Sequence, residues 1–166
     1  MLLHGWHGCQ NHGYLVLYLD VLAEELDAYK SGLLMKYLLD TNICIYLIKN
    51  HPPQVLENFR THSLPEVAIS TITVFELEYG VAKSQQQLRS EAALTKFLQP
   101  LNIVRLNHDS ARKAAGIRAM LEKKETPIGS SDLLIAGIAL SHDLILVTNN
   151  VREFRRVEGL TIENWI

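Results

Sequence analysis

From residue 35 to the end of the chain, short apolar runs alternate with longer segments whose apolar residues recur at helical spacing. The first run, Tyr37-Leu38-Leu39, leads directly into Asp40, Thr41 and Asn42. An apolar run closed by turn-forming polar residues predicts a strand that is buried on both faces of a parallel sheet. Comparable runs predict further short strands at residues 67–69, 103–104, 144–147 and 160–162.

The longer segments predict helices. The pattern is clearest between His108 and Lys124, where Ala111, Ala114, Ile117 and Leu121 recur at spacings of three and four. Further helices are predicted at residues 43–48, 52–59, 71–83, 85–98 and 130–140. Because strands and helices alternate, the chain is predicted to form a three-layer α/β/α domain with a mainly parallel central sheet.

Residues 1–34 differ from the rest of the chain and are predicted to be a separate N-terminal extension. They carry four acidic side chains and a single basic one, and residues 15–34 have an amphipathic helical pattern. The extension also contains four possible zinc ligands, His4, His7, Cys9 and His12. These lie in one glycine-rich stretch without a second ligand pair, so a disordered leader is favoured over a zinc site. Met35 stands just before the first predicted strand, and we expect it to be the real start of a domain that spans residues 35–166.

Charge and cysteine content limit the classes of function that the sequence allows. The net charge is −2, and residues 35–166 carry 15 basic and 14 acidic side chains. RNA binding would therefore depend on local basic patches and not on a generally basic surface. Cys9 and Cys44 are far apart, which is typical of reduced thiols in a cytoplasmic protein. No stretch reaches the roughly 18 apolar residues of a membrane span.

Acidic residues follow several of the predicted strands. Asp40 comes directly after the first strand, Glu76 and Asp132 lie in early helical turns, and Asn150 and Glu153 follow the strand at residues 144–147. The carboxyl ends of parallel strands meet at one edge of a sheet, so these side chains are expected to converge. Two carboxylates about 4 Å apart repel by roughly 4 kcal/mol at an effective dielectric constant of 20, and a hard divalent cation such as Mg²⁺ relieves that repulsion.

Each of these acids also has a plainer interpretation. Asp40 is common at the start of a turn, and Glu76 could form a capping box with Thr73. Asp132 could stabilise a helix N-terminus, and Glu153 could be a solvated surface acid. Each signal is weak by itself, whereas acids at several matching strand ends together favour a metal site.

Four segments carry a resemblance to a known family. These are Leu39 to Asn42, Ser70 to Gly80, Gly129 to Ala136, and Thr148 to Phe154 with the residues that follow up to Trp165. Together they resemble the motifs of PIN-domain ribonucleases, and more closely the VapC toxins of bacterial type II toxin–antitoxin systems, over the whole of residues 35–166. One position departs from the pattern, because many PIN domains carry an aspartate where this chain has Asn150, and Glu153 could supply that carboxylate.

The resemblance implies a Mg²⁺-dependent endoribonuclease, with Mn²⁺ as a possible substitute, that cleaves an RNA loop and inhibits translation. The initiator tRNA anticodon loop is the implied substrate. Asp40, Glu76 and Asp132 would bind the metal, and Asn150 with Glu153 would complete the site. The implied supporting residues, which orient the carboxylates, are Thr41, Asn42, Ser70 and Thr148.

RNA contact is expected from basic residues near the last motif, Arg152, Arg155 and Arg156. The basic residues between Arg112 and Lys124 could equally be solvated helix charges. The resemblance further implies a homodimer and a cognate VapB-type antitoxin, for which residues 43–48 and 56–59 are candidate groove walls. Two other functions stay open: a catalytically silent binding module, and a haloacid-dehalogenase-type phosphotransferase, which would require an aspartate where Asn42 stands.

Overall fold

Five parallel strands form the centre of the fold. In the computed structural model, which describes residues 35–166, their order across the sheet is β3-β2-β1-β4-β5. The strands are β1 Tyr37–Leu39, β2 Val67–Ser70, β3 Asn102–Val104, β4 Ile145–Val147 and β5 Ile162–Glu163. Leu39 at the end of β1 is paired with Ile69 on one side and Val147 on the other. The ends of β1, β2 and β4 therefore lie side by side at one edge of the sheet. The predictions for residues 1–34 lie outside the described residues.

Seven helices connect the strands within the described range. They are α1 Thr41–Lys49, α2 Pro53–Arg60, α3 Thr71–Ala82, α4 Gln87–Leu98, α5 His108–Lys123, α6 Ser130–Ser141 and α7 Val151–Phe154. A 3-10 turn at Leu64–Glu66 precedes β2. The predicted segments match the other elements to within about two residues at each end, whereas the four-residue helix α7 was not predicted. No helix between residues 35 and 166 is long and apolar enough to cross a membrane.

Apolar side chains cover both faces of the sheet. Leu38 points to one face and packs in a core with residues of α5 and α6, including Ile117 and Ile135. Tyr37 and Leu39 point to the other face and pack with residues of α1, α2 and α4. Successive strand residues alternate between faces, so a run that is buried at every position requires a helical layer on each side. The predicted three-layer α/β/α architecture is confirmed.

Helices α5 and α6 approach each other closely at Gly137. A Cβ atom at this position would lie 2.5 Å from the backbone oxygen of Ser110 and 2.8 Å from Cβ of Ala114. Close to this contact, the hydroxyls of Ser110 and Ser141 are hydrogen-bonded at 2.7 Å. Small side chains thus let α5 pack against the helix that carries Asp132.

Candidate active site

Asp40 occupies the end of the central strand. Its backbone N–H donates to the carbonyl of Val147 at 2.9 Å, which continues the pairing of β1 with β4. Its side chain caps α1, because Oδ1 accepts from the N–H of Thr41 at 2.8 Å. The residue is only 4% exposed. Burial raises the pKa of Asp40, although the hydrogen bonds from Thr148 and Thr41 oppose that shift.

Thr148 joins the ends of β1 and β4 through its hydroxyl group. The hydroxyl donates to Oδ2 of Asp40 at 2.8 Å and accepts the N–H of Asn150 at 2.9 Å. Thr148 is fully buried, and its own N–H donates to the carbonyl of Glu163 at 2.9 Å. Both carboxylate oxygens of Asp40 therefore have a fixed partner, and the orientation of this side chain is set by the sheet itself.

Glu76 reaches the same edge from α3. The hydroxyl of Thr41 donates to its Oε2 atom, so the first residue of α1 holds the acid of α3. Helix α3 begins after Ser70, whose hydroxyl accepts the N–H of Thr73 at 2.9 Å. Glu76 therefore lies beyond the first helical turn, and its interpretation as part of a capping box with Thr73 is wrong.

Asp132 lies in the first turn of α6, where the charges of the other carboxyl groups of the site act on it. Its Oδ2 atom accepts a hydrogen bond from Nδ2 of Asn150 at 3.2 Å. Its pKa is raised to about 7, first by burial and then by the nearby charges of Asp40, Glu153 and Glu76. Carboxyls contributed by α3, α6, α7 and the end of β1 thus interact electrostatically, as their strand-end positions predict.

The acids are not gathered around one point. Among residues 35–166, no group of three acidic, histidine or cysteine side chains is arranged closely enough to bind a single ion. The side chains are instead hydrogen-bonded in pairs: Asp40 with Thr148, Glu76 with Thr41, and Asp132 with Asn150.

Some predicted supporting residues lie apart from the carboxylates. Ser70 caps α3 and bonds to Thr73, and none of its hydrogen bonds within the described range involves an acid. Asn42 is exposed on the first turn of α1. Thr41 and Thr148 do contact carboxylates, so two of the four predicted supporting residues contact the acids directly.

The predicted RNA-contacting arginines differ in their environments. Arg152 on α7 and Arg155 directly after it are both exposed. Arg156 is half-buried, and its Nη1 atom donates to the carbonyl of Pro127 at 3.0 Å, just before α6. On α5, Arg112 and Arg118 form exposed ion pairs with Asp109 and Glu122, which fits their interpretation as solvated helix charges.

The donor set at the sheet edge fits a hard divalent cation. Carboxylate oxygens dominate it, with the amide oxygen of Asn150 and threonine hydroxyls beside them, and oxygen ligands of this kind suit Mg²⁺. Burial raises the pKa of Asp132 most, and repulsion from the neighbouring carboxylates adds to the shift; a bound cation relieves that repulsion. The residues present therefore fit the group that the sequence predicts.

A groove lies next to Glu76. It has a volume of about 490 Å³ and is lined by Ile45, Ile48, Glu76, Val81 and Leu94. The predicted wall at residues 43–48 is therefore part of it, whereas the opposite walls come from α3 and α4 and not from residues 56–59 of α2. Sequence signals for those walls are the small and apolar residues Leu77, Gly80 and Val81, which recur on one side of α3.

Comparison with known proteins gives the class to which this fold and this set of acids belong. The PIN domain family model matches residues 37–160, and the chain belongs to the PIN-domain family. It is 42% identical over 132 residues to the tRNA(fMet)-specific endonuclease VapC of Shigella flexneri, covering 80% of this chain and 99% of the relative.

Within the family, the chain is similar to several curated VapC ribonucleases. Another, ribonuclease VapC2 of Haemophilus influenzae strain KW20, is 43% identical over 80% of this chain and 100% of the relative. The fold is similar to the crystal structure of DNA-bound VapBC from Salmonella typhimurium, with a TM-score of 0.75 and 42% identity over 80% of this chain and 99% of the other. The resemblance identified from the motifs is confirmed.

Proposed function

We propose that this protein is a divalent-metal-dependent endoribonuclease that acts as the toxin of a VapBC-type pair and inhibits translation by cleaving initiator tRNA in its anticodon loop. The nuclease proposal depends on one observation: Asp132 lies at a sheet edge where the charges of Asp40, Glu76 and Glu153 act on its carboxyl group. The substrate proposal is supported by the name of the Shigella flexneri relative, a tRNA(fMet)-specific endonuclease.

In this proposal Asp40, Glu76 and Asp132 would hold Mg²⁺, or Mn²⁺ in its place, together with bound water. The three acids need not all contact the ion, because Mg²⁺ usually keeps several waters beside one or two carboxylates. The bound ion would supply a water molecule of lowered pKa and stabilise negative charge on the phosphoryl group. The protein's own contribution is orientation: Thr148 fixes Asp40, Thr41 fixes Glu76, and Asn150 fixes Asp132. Such supporting hydrogen bonds set the direction and basicity of metal-binding carboxylates.

Glu153 acts through Asp132. Burial, followed by the charges of Asp40, Glu153 and Glu76, raises the pKa of Asp132 to about 7, so this carboxyl is only partly ionised in the metal-free protein at neutral pH. Asn42 and Ser70 remain proposed supporting residues, and their role would be to shape the first turns of α1 and α3.

The RNA backbone is proposed to contact exposed arginines at the rim of the site. Arg152 and Arg155 lie beside Glu153 and are free to reach phosphates. Arg156 is proposed to serve RNA binding as well, while its bond to the carbonyl of Pro127 holds the loop before α6. Phosphate contacts of this kind contribute affinity without reading sequence.

A cognate VapB-type antitoxin is the proposed partner for the groove beside Glu76. Its walls are apolar, with Ile45, Ile48 and Val81, and Lys49 and Arg89 also line it. An apolar helix face would fit such a groove, and an arginine of the antitoxin could form a charge-assisted pair with the carboxylates. The similar Salmonella typhimurium structure is a VapBC complex.

We also propose a cytoplasmic homodimer whose nuclease domain is residues 35–166. Phe75 and Tyr79 lie one turn apart on α3 and are 64% and 56% exposed. Large aromatic side chains exposed together are typical of protein contacts. Sedimentation of wild type and of a Phe75→Glu variant tests the dimer, which should dissociate in the variant.

The decisive experiment expresses the full chain, wild type and Asp132→Ala, and sequences the 5′ ends of cellular RNA. Wild type should create new ends in the initiator tRNA anticodon loop, and the variant should create none. New ends in other RNAs would overturn the substrate proposal alone. Absence of new ends with both proteins, together with Mn²⁺ binding that does not differ between wild type and Asp40→Asn, would overturn the nuclease proposal and favour a silent binding module.

A further inference from the structure

The short segment between β4 and α7 sends three successive side chains to three different elements. Thr148 donates to the carboxylate at the end of β1, and Asn150 donates to Asp132 on α6. Asn149 lies between them, and its Nδ2 atom donates to the phenol oxygen of Tyr46 on α1 at 3.3 Å. Tyr46 is therefore connected, through one intervening residue, to both residues that orient the acids.

Asn149 is the exposed middle of this segment and lies in a bend. Among residues 35–166, the only hydrogen bond of its side chain is the one to Tyr46. Thr148, in contrast, is fully buried, and its N–H donates to the carbonyl of Glu163 at 2.9 Å. The sheet therefore holds the start of the segment, whereas the contact between amide and phenol holds its middle.

Asn150 depends on that support because its side chain does not stabilise its own local structure. It is the N-cap residue of α7, a position where an asparagine usually bonds a free N–H group of its helix. In the part of the chain that the structure describes, its side chain makes no such capping bond and donates to Asp132 instead. The direction of its amide is therefore set by the backbone of the segment, which Asn149 connects to Tyr46.

The phenol of Tyr46 is a firm attachment point for this segment. Its ring is half-buried and packs against the part of the core that contains Leu39 and Ile43. The same helix begins at Thr41, whose hydroxyl donates to Glu76. Helix α1 therefore contacts the acid of α3 at its first residue, and through its tyrosine it contacts the segment that orients two further acids.

We propose that Tyr46 is a positioning residue of the acidic edge. Its hydroxyl holds Asn149, and through that residue it keeps Thr148 and Asn150 in the conformations in which they bond to the acids. The proposal rests on the nuclease function proposed above and adds to it a residue that acts on the acids only through a neighbour. Tyr46→Phe should loosen the segment and leave the core intact, because phenylalanine keeps the packed ring.

The first measurement is amide hydrogen exchange in the metal-free full chain, which does not depend on activity. The N–H of Asn150 donates to the hydroxyl of Thr148 at 2.9 Å and reports the order of the segment. In Tyr46→Phe this N–H should exchange about 2- to 12-fold faster, the effect of losing one hydrogen bond. The N–H of Leu146 donates to the carbonyl of Thr161 at 2.9 Å within the sheet, and its exchange should stay unchanged. That difference separates a local effect from a general loss of stability.

Further variants complete a matched set with Tyr46→Phe. Asn149→Ala removes the other half of the contact and should accelerate exchange at Asn150 equally, and the double variant should show no additional effect. Asn149→Asp keeps the contact, because the phenol donates to the new carboxylate, and should exchange like wild type. Tyr37→Phe is the control, since this tyrosine lies at the opposite end of β1 among other aromatic rings.

The second measurement is cleavage of initiator tRNA with Mg²⁺ present. Tyr46→Phe and Asn149→Ala should lower kcat by about 2- to 12-fold, again the effect of one hydrogen bond. Their KM should stay close to that of wild type, because the exposed arginines proposed to hold the RNA backbone are untouched. Asn149→Asp and Tyr37→Phe should keep the wild-type rate.

The two measurements separate this proposal from the nuclease proposal. If wild type cleaves no RNA, the nuclease proposal fails, and the exchange of the Asn150 N–H decides the role of Tyr46 by itself. Equal exchange at Asn150 in wild type and Tyr46→Phe, or equal acceleration at Asn150 and Leu146, would overturn the positioning role. If wild type is active, faster exchange at Asn150 with an unchanged kcat would overturn it as well.

Discussion

The amide of Asn150 donates from Nδ2 to Oδ2 of Asp132 across 3.2 Å, and this contact joins α6 to the segment after β4. The amide is neutral and donates a hydrogen atom, whereas an aspartate at this position would bring a further negative charge. Asp132 already experiences the charges of Asp40, Glu153 and Glu76. Asn150 therefore limits the repulsion at the site while still holding Asp132 in position.

Asn150→Asp should lower the free energy of unfolding of the metal-free protein by about 1–2 kcal/mol. This is less than the roughly 4 kcal/mol by which two close carboxylates repel at a dielectric constant of 20, because the position is partly exposed. The variant loses the donor to Asp132 and adds repulsion, so Mg²⁺ should raise its melting temperature more than that of wild type. Thermal unfolding with EDTA and with Mg²⁺ measures both effects. Asn149→Asp, at the exposed neighbouring position, is the control and should behave like wild type.

The metal-free protein should lose stability as pH rises from about 4 to about 7. Folding raises the pKa of Asp132 from 3.8 to about 7, so the folded state binds more protons than the unfolded state over that interval. The raised pKa of Asp40 acts in the same direction. Urea unfolding in EDTA at pH 5 and pH 8 provides the comparison. Asp132→Asn should flatten the dependence, and a wild-type protein that is more stable at pH 8 would contradict this assignment.

Thr148→Val should reduce metal affinity or RNA cleavage by about 10- to 100-fold, the usual effect of removing a partner of a metal-binding side chain. Valine fills the same volume but provides neither the donor to Asp40 nor the acceptor for the N–H of Asn150. Titration with Mn²⁺ and cleavage rates measure the loss. Thr148→Ser keeps the hydroxyl and should recover most of the activity, whereas the exposed Thr161→Val should leave it unchanged.

Gly137→Ala should lower the free energy of unfolding by about 1–3 kcal/mol, the usual cost of overpacking. The added methyl group would lie 2.5 Å from the backbone oxygen of Ser110, so α5 and α6 would have to separate. Gly116→Ala is the matched control, because nothing lies within 4 Å of its Cβ position on α5. That control should gain about 0.5–1 kcal/mol from the helix preference of alanine. Equal effects at the two positions would contradict the close helix contact.

Arg155→Ala should weaken RNA binding uniformly across sequences and reduce the slope of log affinity against log salt concentration by about one. Arg155 is exposed beside the proposed site and is assigned a phosphate contact. Arg112→Ala should leave the slope unchanged, because Arg112 pairs with Asp109 on the surface of α5. An unchanged slope in Arg155→Ala would remove this residue from the RNA interface.

The order of strands and helices, and the position of Asp40 at a strand end, could be predicted because each depends on a local run of residues. Side-chain pairing could not be predicted in the same way. Glu76 is held by Thr41, which lies 35 positions earlier, and Thr148 reaches Asp40 across 108 positions. Contacts of that range depend on which strands become neighbours, a property of the whole sheet. The cavity lined by Leu121, Ile128 and Leu133 was missed for the same reason, because its walls come from α5, α6 and the loop between them.

The placement of β4 between β1 and β5 has a consequence for when the protein gains activity. Thr148, Asn150 and Glu153 follow β4 late in the chain, and β1 cannot complete its pairing at Asp40 until Val147 is present. A polypeptide still emerging from the ribosome therefore lacks both the Thr148 hydroxyl that donates to Asp40 and the Asn150 amide that donates to Asp132. If the protein is the translation-blocking nuclease proposed above, a nascent copy cannot cleave its RNA substrate until residues 145–153 have been synthesised and have folded onto β1.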